Sequence, residues 1–459
     1  MDGPSRSDPA FIGSLSVTDC EMGCNACGHG PLTTRDVLVE ITRHLDGRSV
    51  GALRAVSLAA RDAVDAALPR ARPARPATLG QLCGLLERLP SLQELSLASC
   101  ADGALSGFAS LSEAEAALSP LARLLSRMPR LSTLELPLAA LLELGNLAWA
   151  RAWAAGAHLQ GRDGREALRA ATAGRYPGAY RSLQRGPHSV LLLPGWLVNP
   201  AARRLSVTRA AGGSPIWPDD QPTCVWLEPS ELTRLEALAI EHVCLSHFPP
   251  PLLQLAAAPG SALRELRLHC CQLRALPGEA MESLGRVTSL QLSGNFLKAL
   301  PDAIGALTAL RELDVSKNAL PTLCNGLAAL TALERLDASS NQLLALPRCL
   351  WRLSGLRRLA LSHNWLSGGG QIGEACAAWG RLTELRLANV SDKNGALAVP
   401  AAALAERCPR LAVLDVSAQF QLEAASLAGL AACPRLRRLE VGQPLRDALR
   451  RQLPGVEVV

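Results

Sequence analysis

Apolar residues recur in one short phrase along the C-terminal half of the chain. Within this phrase, leucine or another apolar residue stands at positions 1, 4 and 6, and mostly polar residues stand between them. Regular copies begin at Leu263, Val287, Leu310, Leu333 and Leu356, at intervals of 24, 23, 23 and 23 residues. Looser copies begin at Leu382, Leu411 and Leu436, and upstream at Leu92, Leu131 and Leu235. Self-similarity at a fixed period predicts a repeat architecture.

Each phrase predicts a short strand, since residues two apart in a strand point to the same side. One such strand cannot bury its apolar side alone, so successive strands are expected to stack into a parallel sheet over a shared leucine core. The ninth position of four successive repeats holds Asn295, Asn318, Asn341 and Asn364. We expect these amides to turn the chain inward and to bond backbone groups that stacking removes from water. Cys271 holds the same place one repeat earlier.

The segments between strands predict short helical pieces on the convex side. Residues 300–307 and 346–353 each carry a proline near a helix-start position, followed by apolar residues three or four apart. Together with the strand phrase, these features resemble the leucine-rich-repeat family, whose pattern is L-x-x-L-x-L-x-x-N-x-L. The resemblance implies an α/β fold, a leucine-rich-repeat solenoid with a curved parallel sheet and convex helices or turns.

The repeats are not uniform along the chain. Cys408 and Cys433 each precede Pro-Arg-Leu, which resembles the longer ribonuclease-inhibitor-like repeats, so two repeat types are expected. We predict a regular leucine-rich-repeat solenoid over 226–459 and irregular leucine-rich repeats with loops over 78–225. The period is lost between about 145 and 225. The arginine- and proline-rich run from Arg70 predicts a linker before the first repeat.

Residues 31–69 predict a small helical module. Thr34 and Ser49 can cap helices whose apolar residues share one face. The segment resembles an F-box, although Thr33 and Ala60 stand where that family usually has proline and tryptophan. The resemblance implies docking on a Skp-type adaptor of a cullin-RING (SCF-type) ubiquitin ligase through Leu32, Val37, Leu38, Ile41, Leu45, Leu53 and Val56. The alternative is a helical cap that closes the core of the first repeat.

Composition narrows the classes of partner and compartment. The chain has 459 residues, 48% hydrophobic and only 3% aromatic, with a formal charge of +6. Its basic residues are interleaved with Asp and Glu, so nucleic acid is not an expected partner. No signal-peptide pattern or apolar stretch of about 20 residues appears, so we expect no membrane association and a cytoplasmic protein, with the nucleus or the cilium axoneme as further possible sites. The fourteen cysteines are then expected to be free thiols that pack as small apolar residues.

Three cysteines near the N-terminus are the strongest candidates for metal chemistry. Cys20, Cys24 and Cys27 have the spacing of the iron–sulfur motif of radical enzymes, and His29 could complete four zinc ligands. We instead favour a disordered, cysteine-containing tail over 1–30. His242, His247 and His269 lack the i, i+4 helical spacing of a known metal site. No acid, base and nucleophile are assembled, so we predict no cofactor, no metal and no enzymatic activity.

The residues between the strand leucines would form the concave face. Their mixed charge suits a polar protein partner better than an apolar ligand. The candidate binding residues are Arg267, Gln291, Asp314, Asp337, Arg358 and Arg386, with Trp365 as a rim anchor. Two alternatives stand beside this hypothesis. The charges could simply pair with one another at about 0–1 kcal/mol each, and Trp365 could pack on a neighbouring loop.

These features together predict a protein-interaction scaffold. The resemblance to F-box proteins with leucine-rich repeats implies a substrate-recruiting adaptor of a cullin-RING ubiquitin ligase, with the protein substrate on the concave face. The alternative is a leucine-rich-repeat scaffold outside any ligase, in signalling or in the ciliary or axonemal cytoskeleton.

Overall fold

The computed structural model describes residues 70–71, 78–98, 105–157, 190–193, 198, 201–208, 224–227, 232–245, 247–278, 281–366, 370–392, 395–396, 399–419 and 422–459. All of them belong to Pro69–Val459, one of the two units into which the chain divides. The predicted N-terminal tail and the F-box-like module, with its seven candidate adaptor-binding residues, lie outside the described residues.

Fourteen strands form one parallel sheet in which neighbours along the chain pair in sequence order. They are β1 (Arg70–Ala71), β2 (Glu94–Ser96), β3 (Thr133–Pro137), β5 (Arg204–Thr208), β7 (Ala237–Glu241), β8 (Glu265–His269), β9 (Ser289–Gln291), β10 (Glu312–Asp314), β11 (Arg335–Asp337), β12 (Arg358–Ala360), β13 (Glu384–Arg386), β16 (Val413–Asp415), β17 (Arg438–Glu440) and β18 (Glu457–Val458). β4 (Val190–Leu193) pairs in parallel with β6 (Cys224–Leu227), and β14 (Ser391–Asp392) pairs antiparallel with β15 (Gly395–Ala396). The predicted parallel sheet is confirmed.

Helical segments connect the strands. The α-helices are α1 (Leu79–Leu86), α2 (Leu111–Ser126), α3 (Leu138–Ala157), α4 (Pro250–Ala257), α5 (Gly370–Ala375), α6 (Ala401–Arg407), α7 (Ala424–Leu427) and α8 (Gln443–Gln452). The 3-10 helices span Met281–Leu284, Asp302–Ala306, Asn325–Ala329, Arg348–Arg352, Cys376–Ala378 and Ala428–Ala432. Repeats at 23-residue intervals contain 3-10 helices, whereas the longer intervals from Leu356 and Leu382 contain α5 and α6. The connections between strands therefore differ with the length of the repeat.

The leucines of the strand phrase build the core. The central leucine of each strand pairs in register with that of the next, as Leu290 does with Leu313 and Leu313 with Leu336. These three side chains are 0–2% exposed. Because each strand contributes its apolar side to the same layer, the sheet gains buried apolar area with every repeat.

The ninth-position asparagines bond the backbone of two repeats at once. Asn295 Oδ1 accepts the backbone N–H groups of Cys271 and Leu273 at 2.9 and 3.0 Å. Its Nδ2 donates to the backbone oxygens of Leu268 and Leu292, both at 2.8 Å. Cys271, at the ninth position one repeat earlier, is fully buried, and its thiol donates to the Ile240 oxygen at 3.2 Å. The predicted structural role of this column is confirmed.

Two segments differ from the sequence-based expectation. Arg70 and Ala71, which the sequence assigned to a linker, form the edge strand β1 against β2. Within the stretch where the period is lost, β5 occupies a full place in the main sheet between β3 and β7. Ala202, Leu205 and Val207 fill positions 1, 4 and 6 there and are all buried. The phrase was missed because alanine and valine replace leucine at its two ends.

Candidate protein-binding surface

The residues at positions 3 and 5 of each phrase lie on the side of the sheet opposite the leucine core. We call this surface the strand face. Between β9 and β13 it forms a groove of about 270 Å³. The polar residues that line the groove are Gln291, Glu312, Asp314, Arg335, Asp337, Arg358, Glu384 and Arg386. Five of the predicted binding residues, all except Arg267 and Trp365, therefore line one groove.

Ion pairs connect neighbouring strands across this groove. Arg335 lies 2.7 Å from Glu312 on the preceding strand, and Arg358 lies 3.5 Å from Glu384 on the following one. Glu384 also pairs with Arg386 of its own strand at 2.6 Å. The arginine side chains remain 52–60% exposed, so water weakens these pairs to about 0–1 kcal/mol each. The guanidinium and carboxylate groups can therefore exchange these ion pairs for contacts with a charged partner.

The two aspartates in the middle of the groove are held by the backbone. Asp314 Oδ1 accepts the N–H of Ser316, and Asp337 Oδ1 accepts the N–H of Ser339, both at 2.9 Å. Burial raises the pKa of Asp337, and the nearby charge of Asp314 adds to this effect. These bonds fix the carboxylates in place, so the groove presents an ordered polar surface.

Arg386 provides the opposite charge at the other end of the groove. Burial lowers the pKa of its guanidinium, but the hydrogen bond to Glu384 and the charges of Glu384, Glu440 and Asp415 raise it by more. The side chain therefore stays positive. The groove thus carries carboxylates and guanidinium groups side by side.

A second groove of about 170 Å³ adjoins the first on the N-terminal side. Arg204, Ser206, Glu265 and Arg267 contribute polar groups to it, and Arg204 pairs with Glu265 at 3.0 Å. Gln291 borders both grooves. The predicted residue Arg267 lies here. Arg204 and Ser206 were not predicted because the repeat containing them was not recognised.

Trp365 lies away from both grooves, directly after Asn364 at the tenth position of its repeat. Its side chain is 57% exposed, and its backbone N–H donates to the Leu343 oxygen at 3.0 Å. Phe296, at the tenth position of an earlier repeat, is 54% exposed. Trp365 therefore lies on the edge of the repeat array, beyond the ends of the strands.

Nine cysteines of the repeat array are free thiols, as the sequence predicted for them, and six of these nine are buried. Burial raises the pKa of Cys271 to about 12 and that of Cys349 to about 11, with a smaller contribution at Cys349 from Cys324. High pKa values make thiols poor nucleophiles, so these side chains act as core residues.

One group of possible metal ligands does assemble. The sequence treated His242 and His269 as separate, but their side chains meet next to Cys270 at the end of two adjacent strands. The cluster involves three side chains from two neighbouring repeats.

Among the described residues, no helix combines the length and apolar character that crossing a membrane would need.

Residues 261–320 match the family model of the leucine rich repeat. The matched segment contains the strands β8, β9 and β10, with the buried leucines and asparagines described above. The chain contains leucine-rich repeats. Leucine-rich-repeat proteins generally act as scaffolds for protein interactions, and their repeats create extended binding surfaces. No curated protein matches this chain.

Several solved structures match much of this chain. A leucine-rich-repeat protein of Leptospira interrogans is 17% identical, with 88% of this chain and 98% of that chain covered and a TM-score of 0.42. An internalin of Listeria monocytogenes is 16% identical, with coverage of 86% and 93% and a TM-score of 0.38. A complex of TLR13 with ssRNA13 is 15% identical, with coverage of 82% and 44% and a TM-score of 0.47.

Proposed function

We propose that the strand face binds the surface of a partner protein across the groove between β9 and β13. The observation that carries this proposal is the ordered set of opposite charges there, with two backbone-held aspartates and the exposed guanidinium of Arg386. Such a surface suits a polar protein with complementary charge, because charged groups across an interface fix its register and exclude wrong partners. The proposed role needs no catalytic group.

The test is a triple charge reversal, Asp314→Lys, Asp337→Lys and Arg386→Glu, in the full chain. Proteins captured by the native chain would be identified by mass spectrometry. A matched control, Glu406→Lys, Asp447→Lys and Arg410→Glu, makes the same net change at exposed positions off the strands. We expect the reversal to abolish capture of the principal partner and the control to retain it. Equal capture by all three chains, with unchanged circular dichroism, would refute binding at this groove.

The second part of the proposal concerns the role of the bound protein. We infer from the resemblance of residues 31–69 to an F-box that the chain recruits this protein to a cullin-RING ubiquitin ligase through a Skp-type adaptor. The support is the apolar pattern that includes Leu38, Ile41 and Leu45, spaced on one helical face. The ligase subunits would then supply the chemistry, and this chain would supply recognition.

This part is tested by binding of the full chain to a purified Skp adaptor. The variant chain carries Leu38→Asp and Ile41→Asp, and the strand-face reversal serves as the control. We expect the first variant to lose adaptor binding and the control to keep it. If the native chain does not bind the adaptor, the ligase role fails. The proposed binding at the strand face would be unaffected, and the chain would be a scaffold outside a ligase.

A further inference from the structure

Two adjacent repeats bring two imidazoles and a thiol together where their strands end. His242 and Cys270 both occupy the eighth position of their repeats, and both have left-handed backbones with φ of 61° and 52°. His269 directly precedes Cys270, and its backbone oxygen accepts the N–H of His242 at 3.0 Å. One potential ligand atom from each of the three side chains lies within 4.8 Å of the other two.

The separations are close to those of a metal coordination sphere. Cys270 Sγ lies 3.3 Å from His269 Nε2, and the rings of His242 and His269 are perpendicular with centroids 5.5 Å apart. A tetrahedral zinc ion, with bonds of about 2.0–2.1 Å to nitrogen and about 2.3 Å to sulfur, places its ligand atoms about 3.3–3.6 Å apart. The separation of Cys270 Sγ and His269 Nε2 already matches this value, and the other two separations exceed it by at most about 1.5 Å.

A neighbouring hydroxyl orients one imidazole for this purpose. His269 Nδ1 lies 2.9 Å from Ser293 Oγ on the next repeat. When Nδ1 carries the proton and donates to Ser293, the lone pair of Nε2 faces the thiol of Cys270. Metal-binding histidines commonly use the second ring nitrogen in this way, because the bond fixes both the tautomer and the ring orientation.

The following repeat leaves room for the thiol. Gly294 occupies the same eighth position, with φ of 71°. A Cβ at this residue would lie only 2.6 Å from Cys270 Sγ. Glycine therefore satisfies both the backbone conformation and the space that the sulfur needs. Other eighth-position residues with a left-handed backbone are Lys317, Ser340, His363, Asn389 and Ala418.

We propose that His242, His269 and Cys270 bind one transition-metal ion such as Zn²⁺, with water as the fourth ligand. Two imidazoles and a thiolate favour Zn²⁺, Co²⁺ or copper over Mg²⁺ and Ca²⁺, which prefer oxygen ligands. His242 is exposed, and His269 and Cys270 are partly exposed, so solvent can deliver the ion. The bound ion links two consecutive repeats at the edge of the sheet. This site is separate from the strand face and does not depend on its proposed function.

The test is titration of the full chain with Co²⁺, followed by displacement with Zn²⁺. A background chain with Cys20→Ser, Cys24→Ser and Cys27→Ser removes the three closely spaced thiols near the N-terminus. We expect one Co²⁺ per chain, with a thiolate-to-cobalt charge-transfer band and the visible bands of tetrahedral cobalt. Zn²⁺ should abolish both and raise the unfolding temperature, since an ion bound only by the folded chain stabilises it.

Variants identify the ligands. Cys270→Ser should remove the charge-transfer band, and His269→Ala and His242→Asn should each weaken binding by at least about 100-fold. Asparagine is chosen at residue 242 because it tolerates a left-handed backbone. Ser293→Ala, which removes the orienting hydroxyl, should weaken binding by about 10–100-fold. The matched control is His363→Asn, an eighth-position histidine that lies 3.0 Å from Asn389, and it should bind normally.

The proposal is overturned if the background chain gives no charge-transfer band, or if Cys270→Ser leaves the band unchanged. Circular dichroism establishes that each variant is folded. Should Cys270→Ser fail to fold, the exposed His242→Asn change still decides the question, because a site elsewhere in the chain would keep its affinity in that variant.

Discussion

The side-chain amide of Asn341 donates to the backbone oxygen of Val315, in the preceding repeat, over 3.0 Å. The same amide donates to the Ala338 oxygen at 3.1 Å, and its oxygen accepts the N–H of Leu320 at 3.1 Å. Because Asn341 is only 5% exposed, no water can replace these bonds. One side chain thus connects the backbones of two repeats.

Asn341→Ala is therefore expected to destabilise the fold strongly. The change leaves several buried backbone groups without partners, at about 1–3 kcal/mol for each lost group. We expect a loss of roughly 3 kcal/mol in the free energy of unfolding, measured by urea denaturation. The control is Gln342→Ala at the next residue, which is exposed. A similar loss in both variants would show that the buried bonds of Asn341 are not the cause.

The same chemical change should have opposite effects at two glycines. A Cβ at Gly326 would overlap the backbone oxygen of Asp302, so Gly326→Ala should destabilise by about 1–3 kcal/mol. Gly80 lies within α1, and a Cβ added there would meet no neighbouring group within 4 Å. Gly80→Ala should therefore stabilise by about 0.5–1 kcal/mol through helix propensity. Denaturation midpoints that shift in the same direction for both variants would contradict this prediction.

Asp337 should make stability depend on pH in an unusual direction. Burial, with the charge of Asp314, raises its pKa in the folded chain. A raised carboxyl pKa means that the folded state binds the proton more tightly than the unfolded state. The resulting contribution to stability is present below the pKa that Asp337 has in the unfolded state. It is lost as the pH rises through the pKa of Asp337 in the folded state.

Asp337→Asn removes this titration, while its amide oxygen can still accept the N–H of Ser339. The unfolding temperature of the variant should rise relative to that of the native chain as pH increases from about 4 to 7. The quantity to measure is the difference between the two unfolding temperatures at each pH. A difference that does not change with pH, or that changes with the opposite sign, would show that Asp337 titrates normally.

Buried thiols should resist alkylation in the folded chain. With a pKa of about 12, Cys271 has roughly 1000-fold less thiolate at pH 8 than a thiol with the ordinary pKa of 9.0. We expect Cys271 and Cys349 to react with iodoacetamide only after denaturation, and the partly exposed Cys83 to react faster in the folded chain. Mass spectrometry after timed labelling measures each rate. Equal labelling of the three thiols before denaturation would contradict the burial described here.

Much of the fold could be predicted from local pattern. The phrase beginning at Leu310 and the asparagine at position 318 predict a strand, a buried leucine layer and a backbone-bonding turn, and all three are present. The repeat containing β5 was not predicted, since Ala202 and Val207 weaken the leucine signal. Arg70 and Ala71 were assigned to a linker, because two residues carry too little pattern to indicate a strand. Their pairing depends on the free edge that β2 provides.

The candidate sites were also predicted only in part from the sequence. Alternation along each strand predicted that Asp314, Asp337 and Arg386 would share one face, because strand residues two apart point to the same side. It could not predict that Arg335 bonds Glu312 while Arg358 bonds Glu384, since side-chain rotamers choose between neighbours on either side. It also could not predict that His242 meets Cys270, 28 residues later in the chain.

The sequence by itself determined the repeat, the leucine core and the polar character of the strand face, because these follow from the spacing of residues within one repeat. Only the tertiary structure decided which side chains of different repeats touch. That choice depends on strand register and on the left-handed backbone of residues 242 and 270, which place His242, His269 and Cys270 within reach of one ion. Contacts between repeats arise from stacking, and no pattern within a single repeat contains them.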